Sequence, residues 1–306
     1  MKYKKISVIY NKNASGGKAE IKFNQLKNII TQKVPDAEIE YYNSESIKDM
    51  ENYIVDLCYN KKADLLIPLG GDGTISSISN VLMTIDFDKR IPILPIPGGT
   101  GNSFLVDQNI TTIDDAFEKF DPNGYFLSDI IEVKTNKRHF YCINIVGMGF
   151  ISDVAEFAVK HKKSIGALSY ILAVFTGLGK FKPYKTKITF SDHEQFNSDK
   201  VFFLTISNNK FTAAKFMVAP DADITDGLGD IIILHDINRF QFLKGFSKIF
   251  TGKHTHEKGC TYIKSSSLKI EADPLFYIMP DGDLLDDYSP VEINILKAQI
   301  KFALKS

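Results

Sequence analysis

Three glycine-bearing segments carry the residue types that handle phosphate. Gly70-Gly71-Asp72-Gly73-Thr74 stands between an apolar run, Leu65–Leu69, and a segment of helical spacing. Glycines let an anion approach the backbone closely, and the N–H groups at a helix start point outward to meet it. A carboxylate among them would repel phosphate unless a divalent cation stood between, so Asp72 points to metal-assisted nucleotide chemistry. Taken alone, the same residues also make a tight strand–helix turn with Asp72 as a cap. The second segment, Pro97-Gly98-Gly99-Thr100-Gly101-Asn102, again follows an apolar run. The third, Asn11-Lys12-Asn13-Ala14-Ser15-Gly16-Gly17-Lys18, is not a Walker loop, because position 12 is Lys rather than Gly and position 19 is Ala. Three phosphate-capable loops are more than turns require, and together they predict a nucleotide site.

The elements between the loops must bring them to one edge. Ile6–Tyr10, Ile39–Tyr42, Leu65–Leu69 and Ile91–Ile96 read as strands, and Ala19–Lys33, Ile47–Asn60 and Thr74–Met83 as helices. This alternation predicts a mostly parallel sheet with helices on both faces, whose ligands lie beyond the carboxyl ends of the strands. After about Gly124 the pattern changes to strand-like runs: Phe126–Val133, Phe140–Val146, Thr186–Phe190, Val201–Ser207, Asp230–Leu234, Thr261–Ile270 and Leu275–Ile278. Helical stretches near Ser152–Lys160, Ile165–Gly177 and Arg239–Phe250 interrupt them. The expected organisation is an α/β nucleotide-binding domain over 1–124 and a β-rich domain over 125–306, with the tail from about 291 to 306 free to return to the first.

Composition sets the bounds. The chain has 306 residues, 44 % apolar and 24 % charged, as an ordinary folded globule does. Lys plus Arg and Asp plus Glu number 37 each, so no overall field favours nucleic acid. Cys58, Cys142 and Cys260 are odd in number and far apart, which predicts a reducing compartment rather than a disulfide framework. The apolar run after Met1 is too short for a signal peptide, and Ile165–Leu178 is too short and too interrupted to span a bilayer. A cytoplasmic protein is expected. His254 and His256 read as an exposed pair without a third metal ligand.

Taken in order along nearly the whole chain, these motifs resemble the diacylglycerol kinase catalytic family, which includes bacterial soluble lipid kinases and the sphingosine and ceramide kinases. The resemblance rests on Asn11–Gly17, Gly70–Thr74, Gly99–Asn102, Ser128-Asp129-Ile130, Asn144–Phe150, Asp226-Gly227-Leu228 and Asp281-Gly282-Asp283. It implies an α/β lobe followed by an all-β, sandwich-like lobe with a lipid cavity, ATP in the cleft, and Mg²⁺. Carried over to this chain, it implies that Asn11, Lys12, Asn13, Ala14, Ser15, Gly70, Gly71, Asp72, Gly73, Thr74, Ile75, Ser76, Gly99, Thr100 and Asn102 hold the nucleotide. It places Asp72 by the phosphates and Asp129 in an acidic network near the metal. It assigns a metal to Asp223, Asp226 and the backbone oxygen of Leu228, where an ordinary turn is the plain alternative. It puts the base that takes the proton of the lipid hydroxyl at Asp281 or Asp283, residues that also read as a hairpin turn. The chain departs from the family pattern at Ser77 and Ser103, where carboxylates are usual, and at Asp283, where Glu is usual.

The expected reaction transfers the γ-phosphate of ATP to a lipid hydroxyl, with diacylglycerol first among acceptors. The alternatives are a sphingoid-base kinase, to which Ser103 points, an NAD kinase, and a non-catalytic lipid-binding protein, to which Ser77 and Asp283 point. The expected partner is a membrane lipid met at the bilayer surface; a homodimer stays open. Between Phe157 and Lys187 the chain has no acid but carries Lys160, Lys162, Lys163, Lys180, Lys182, Lys185 and Lys187 around an apolar stretch. That pattern suits an entrance facing anionic lipid, and equally a core helix with solvated flanks. Arg239–Lys269 is similarly poor in acid.

Overall fold

The computed structural model describes residues 2–12, 18–60, 62–99, 101–150, 152, 183–213 and 215–305. The chain forms two compact units: Met1–Ile130 with Lys297–Ser306, and Ile131–Leu296. The division falls inside a strand, six residues beyond the change in pattern at Gly124.

In the first unit, β1 (Lys5–Tyr10), β2 (Glu38–Asn43), β3 (Leu65–Gly70) and β4 (Ile96–Pro97) form a parallel sheet in the order β2-β1-β3-β4. Helices α1 (Lys18–Lys33), α2 (Ile47–Tyr59) and α3 (Asp72–Met83) connect them, and α4 (Ser103–Asp107) and α5 (Ile113–Lys119) follow. Four of the six residues of β1 and the first five of β3 are buried, as befits inner strands covered on both faces, whereas β2 has no buried residue and forms the edge. The strand expected over Ile91–Ile96 is reduced to a single bridging residue, Ile93, and the two-residue β4. Pro92, Pro95 and Pro97 lack the N–H that a continuous ladder needs. Ile93 instead joins Leu66 on one side and Phe302 of the returning tail on the other.

The second unit is built on a sheet that runs β13-β12-β9-β8-β14-β16-β5-β6, where β5 is Phe126–Thr135, β6 His139–Cys142, β8 Tyr184–Phe190, β9 Phe196–Ser207, β12 Gly229–His235, β13 Cys260–Ser265, β14 Ser267–Asp273 and β16 Val291–Phe302. Off this path, β7 (Ile145–Gly149) pairs with β9 and with β15 (Ile278–Pro280). Two short strands, β10 (Phe211–Thr212) and β11 (Phe216–Met217), form a separate hairpin. Alternate residues of these strands, among them Ile131, Val133, Leu204, Ile206, Ile231, Ile233, Ile270 and Ile293, form one core. The other face of β7, β9 and β12 packs Ile145, Phe203 and Ile232 against Phe216, Val218, Ala219 and Ala222 and against Phe242 of α6 (Arg239–Phe246).

Several runs divide differently from expectation. The run Phe140–Val146 is two strands, β6 and β7, parted at Ile143-Asn144. Thr261–Ile270 is also two, because the chain turns at Ser266, where Asp192 accepts from the Ser265 hydroxyl. The helix expected over Arg239–Phe250 ends at Phe246; short 3-10 turns follow, one ending at Gly252 with φ +70°. The helices expected over Ser152–Lys160 and Ile165–Gly177 lie outside the described residues except for Ser152, as does the lysine-flanked entrance up to Lys182. Lys185 and Lys187 of that stretch stand within 3.6 and 3.7 Å of Asp199 and Glu271. Among the described residues no helix is long and apolar enough to cross a membrane.

Candidate active site

Parallel pairing brings the glycine loops to one edge of the first unit. Ile9 lies beside Pro68 and Gly70 beside Pro97, so Asn11-Lys12, Gly71-Asp72-Gly73 and Gly98-Gly99 leave the sheet side by side. The second and third of these interlock through bare backbone. Gly98 N–H donates to Gly70 O at 2.7 Å. A Cβ on Gly99 would stand 2.5 Å from Gly71 Cα, and one on Gly98 2.7 Å from Gly70 N. These glycines serve packing of loop on loop. Gly73 differs: it is exposed in the first turn of α3, and a Cβ there would meet no atom of the described residues within 4 Å. Nothing among the described residues asks for glycine at that place, where alanine would favour the helix.

The N-terminus of α3 has no side-chain cap. Its N-cap is Gly71, which offers no side chain to the first N–H groups of the helix. Such groups have no partner within the helix and present partial positive charge outward. Asp72, expected beside the phosphates, turns its carboxylate to the neighbouring loop: Oδ2 accepts from Ser103 N–H at 2.9 Å and Oδ1 from Phe104 N–H at 3.2 Å. It thus caps α4, because Asn102, the formal N-cap of α4, has φ +51° and uses its amide on both the N–H and the O of Gly99. The capping role foreseen for Asp72 is real but applies to a different helix. Lys22 of α1 ties in by donating to Pro97 O at 3.1 Å, and Lys12 N–H donates to Asn43 Oδ1 at 3.0 Å. Ile75 is buried under the turn and Thr74 fills the space beside Gly70. Ser76 follows in the same helix, half-buried, and its carbonyl accepts from the Asn80 amide. Asn13, Ala14, Ser15 and Thr100 lie outside the described residues.

In the second unit the Asp281-Gly282-Asp283 element is both a turn and a clasp. Asp281 and Gly282 have φ of +46° and +97°, as a type I′ turn demands, and Asp283 N–H closes it on Pro280 O at 2.9 Å. The Asp281 carboxylate accepts from the N–H groups of Ile143, Asn144 and Ile145 at 3.1, 2.9 and 3.0 Å. That clasp is the reason β6 and β7 part where they do. Asp283, two residues on, is exposed, and no hydrogen bond or ion pair from the described residues reaches its carboxylate.

The carboxylates assigned to a metal are engaged by the protein itself. Asp226 Oδ2 is 2.9 Å from the Lys264 ammonium and Oδ1 accepts from Leu228 N–H. Asp223 accepts from both the N–H and the hydroxyl of Thr225; that hydroxyl, first, holds its carboxyl below the usual range. Asp129 is fully buried and receives Ala298 N–H at 2.7 Å, which anchors a residue with φ +58°. A divalent cation needs several oxygens free to converge, and the Asp223–Asp226–Leu228 set, with a lysine ammonium on its central carboxylate, does not fit one as arranged. No group of three or more His, Cys, Asp or Glu side chains suited to a metal occurs among the described residues. His254, expected to be exposed, is buried with Nε2 3.0 Å from Val218 O.

Asp230, Tyr262 and Lys264 belong to none of the motifs that carry the family resemblance. Asp230 is fully buried on β12; its Oδ1 receives the Tyr262 hydroxyl and lies 3.5 Å from Lys264 Nζ. Burial pushes its carboxyl up to about 6, against the pull of that hydroxyl and ammonium. An acid at an inward position of an apolar strand was the available signal.

Comparison with known proteins follows the same division. Residues 5–123 match the family model described as the diacylglycerol kinase catalytic domain, and residues 144–303 match the YegS C-terminal NAD kinase β-sandwich-like domain. The chain is 26 % identical over 144 residues to a protein of Bacillus subtilis (strain 168) named "Diacylglycerol kinase", covering 47 % of each. It is 31 % identical over 177 residues to one of Shewanella frigidimarina (strain NCIMB 400) named "Probable lipid kinase YegS-like", covering 58 % of this chain and 55 % of that one. The chain thus spans about half the length of the curated relatives it matches. In fold it is similar to a crystal structure titled as a diacylglycerol kinase from Bacillus anthracis str. Sterne, with TM-score 0.73, 19 % identity, and 100 % and 98 % of the two chains covered.

Proposed function

The chain belongs to the diacylglycerol kinase catalytic-domain family, and on that premise we propose that it is an ATP-dependent lipid kinase whose acceptor is the free hydroxyl of diacylglycerol. The observation that carries the reading is the N-terminus of α3: a helix start without a side-chain cap, whose exposed glycine, Gly73, packs against none of the described residues. Phosphate oxygens of ATP fit there, held by backbone N–H groups, while Asp72 keeps the second glycine loop alongside by capping α4. ATP enters as its magnesium complex, whose cation lowers the charge of the transferring phosphoryl group.

Within the Asp-Gly-Asp turn the two carboxylates divide the work. Asp281 is committed to three backbone donors and positions the turn. Asp283 is exposed at the tip, and its carboxylate takes the proton of the lipid hydroxyl as that oxygen bonds to the γ-phosphorus. The bond from phosphorus to the bridging oxygen breaks, ADP leaves, and phosphatidate remains. The side chain is one methylene shorter than the family's usual Glu, which tightens the demand on where the hydroxyl sits. Incubation with labelled ATP and mixed micelles holding diacylglycerol, sphingosine or neither, and separately with NAD, tests the reading. Label is expected in phosphatidate; label in NADP or sphingosine phosphate, or in no product, overturns it.

A further inference from the structure

A buried polar atom without a partner forfeits the hydrogen bond it had to water, so such atoms are few and each asks for a reason. In the second unit four such atoms belong to β9, to the residues just after it and to its neighbour β12: Thr205 Oγ1, Ser207 Oγ, Asn209 Oδ1 and Asp230 Oδ2 have no hydrogen-bond partner among the described residues. Their residues are at most 2 % exposed. Strand register explains why they gather. On β9 and β12, Ser207 lies directly opposite Asp230 and Thr205 opposite Ile232, so these side chains share one face of the sheet. On the other flank of β9, Thr205 faces Gly147, which has no side chain to fill the space beside it. Ile145, Phe203 and Ile232 on the same face belong to the apolar layer, so the oxygens form a polar patch on a greasy floor.

We propose that this patch is the subsite for the uncharged oxygens of the acceptor, namely the hydroxyl and ester groups of a neutral glycerolipid; the proposal rests on the lipid kinase reading above. Two hydroxyls can donate or accept there, and two further oxygens can only accept a donor such as a lipid hydroxyl. The ammonium near the patch, Lys264, is taken up by Asp226 at 2.9 Å and by Asp221 O at 2.8 Å, which leaves the patch poorly suited to an anionic headgroup. Asn209 is held by its amide nitrogen on Asn144 Oδ1 at 2.7 Å, and its Oδ1 has no partner among the described residues. The catalytic turn is close along the same sheet. Asp281 N–H donates to Ile145 O, and Ile145 lies opposite Ser207, so two interstrand spacings, roughly 10 Å, separate the turn from the patch. One glycerolipid headgroup spans that distance.

The test uses Thr205→Val and Ser207→Ala, which remove a hydroxyl with little change of shape, and Thr205→Ser, which keeps it. Binding of a fluorescent diacylglycerol in neutral micelles is measured for each full-length protein, together with KM for lipid, KM for ATP and Tm. The two deletions are expected to weaken lipid binding and raise the lipid KM by roughly fivefold each, with the ATP KM unchanged and Thr205→Ser near wild type. Equal lipid binding by the deletion variants, with a raised Tm, would show hydroxyls that are merely buried and overturn the proposal, as would a wild type that binds no diacylglycerol. A wild type that binds the lipid through these hydroxyls yet transfers no phosphate would support the subsite and refute the kinase reading instead. Tighter binding of sphingosine than of diacylglycerol, lost in the same variants, would overturn the neutral-lipid assignment.

Discussion

Replacing Gly73 by alanine sets two effects of opposite sign against each other. The position lies in the first turn of α3, has no positive φ, and a Cβ there would meet no atom of the described residues within 4 Å. Helix propensity and the loss of unfolded-state freedom then favour the variant by about 0.5–1 kcal/mol. For a unit of this size that raises Tm by about 1–3 °C. Under the proposed function, the same methyl stands where a phosphate oxygen approaches the backbone. Losing one charge-assisted contact of about 1.5–3 kcal/mol would raise the ATP KM by roughly 10- to 100-fold. Gly99→Ala is the contrast, since its Cβ would press to 2.5 Å from Gly71 Cα and lower both stability and activity. Thermal unfolding without nucleotide and steady-state kinetics against ATP read the two effects separately. A Gly73→Ala protein with a higher Tm and an unchanged ATP KM would refute the phosphate role of this helix start.

Other substitutions follow from the same geometry. Asp283→Asn is expected to cut kcat by at least 100-fold with Tm within 1 °C of wild type, roughly the scale of one general base with no structural partner; a Tm loss with kcat retained would contradict the division of roles. Asp281→Ala leaves three backbone N–H groups without an acceptor and is expected to lower stability by about 3 kcal/mol, read by urea unfolding. Because burial raises the Asp230 carboxyl from 3.8 to about 6, the native state binds its proton more tightly than the unfolded chain. That stabilisation is complete below the unfolded value and is lost as pH rises through about 6, so wild-type Tm falls relative to Asp230→Asn between pH 4 and 6. Lys264→Met strips the ammonium from Asp226 and Asp230 and is expected to cost about 3 kcal/mol at pH 7 and less at pH 5.

The alternation from β1 to α3 was legible because buried parallel strands and amphipathic helices leave distinct periods in a sequence. Prolines 92, 95 and 97 were equally visible, yet the apolar residues between them outweighed the missing N–H groups in the reading. Long-range hydrogen bonds left no such trace. Nothing local says that Asp281 reaches back to residues 143–145, so the break between β6 and β7 was hidden, as was the turn at Ser266 set by Asp192. The site shows the same limit. Glycines at 70, 71, 98 and 99 announced a tight place but not which of them answer to packing, and Gly73 stood out only when its surroundings were known. Asp72 read as a cap or a phosphate neighbour, and only the fold showed that the helix it caps is α4. Thr205 and Ser207 already alternated with Leu204 and Ile206 in the sequence, and the partner strand made that alternation chemical. Thr112 and Asp115 form the capping box of α5, a helix-start signal that the sequence carries.

The proposed activity passes a terminal phosphoryl group from nucleotide to lipid. Parallel incubations with ATP labelled at the γ- or the α-phosphorus, in micelles of diacylglycerol, followed by extraction into organic solvent, measure that transfer directly. The γ-label is predicted to enter the organic phase as phosphatidate and the α-label to stay in water as ADP. Both labels remaining in water would contradict it.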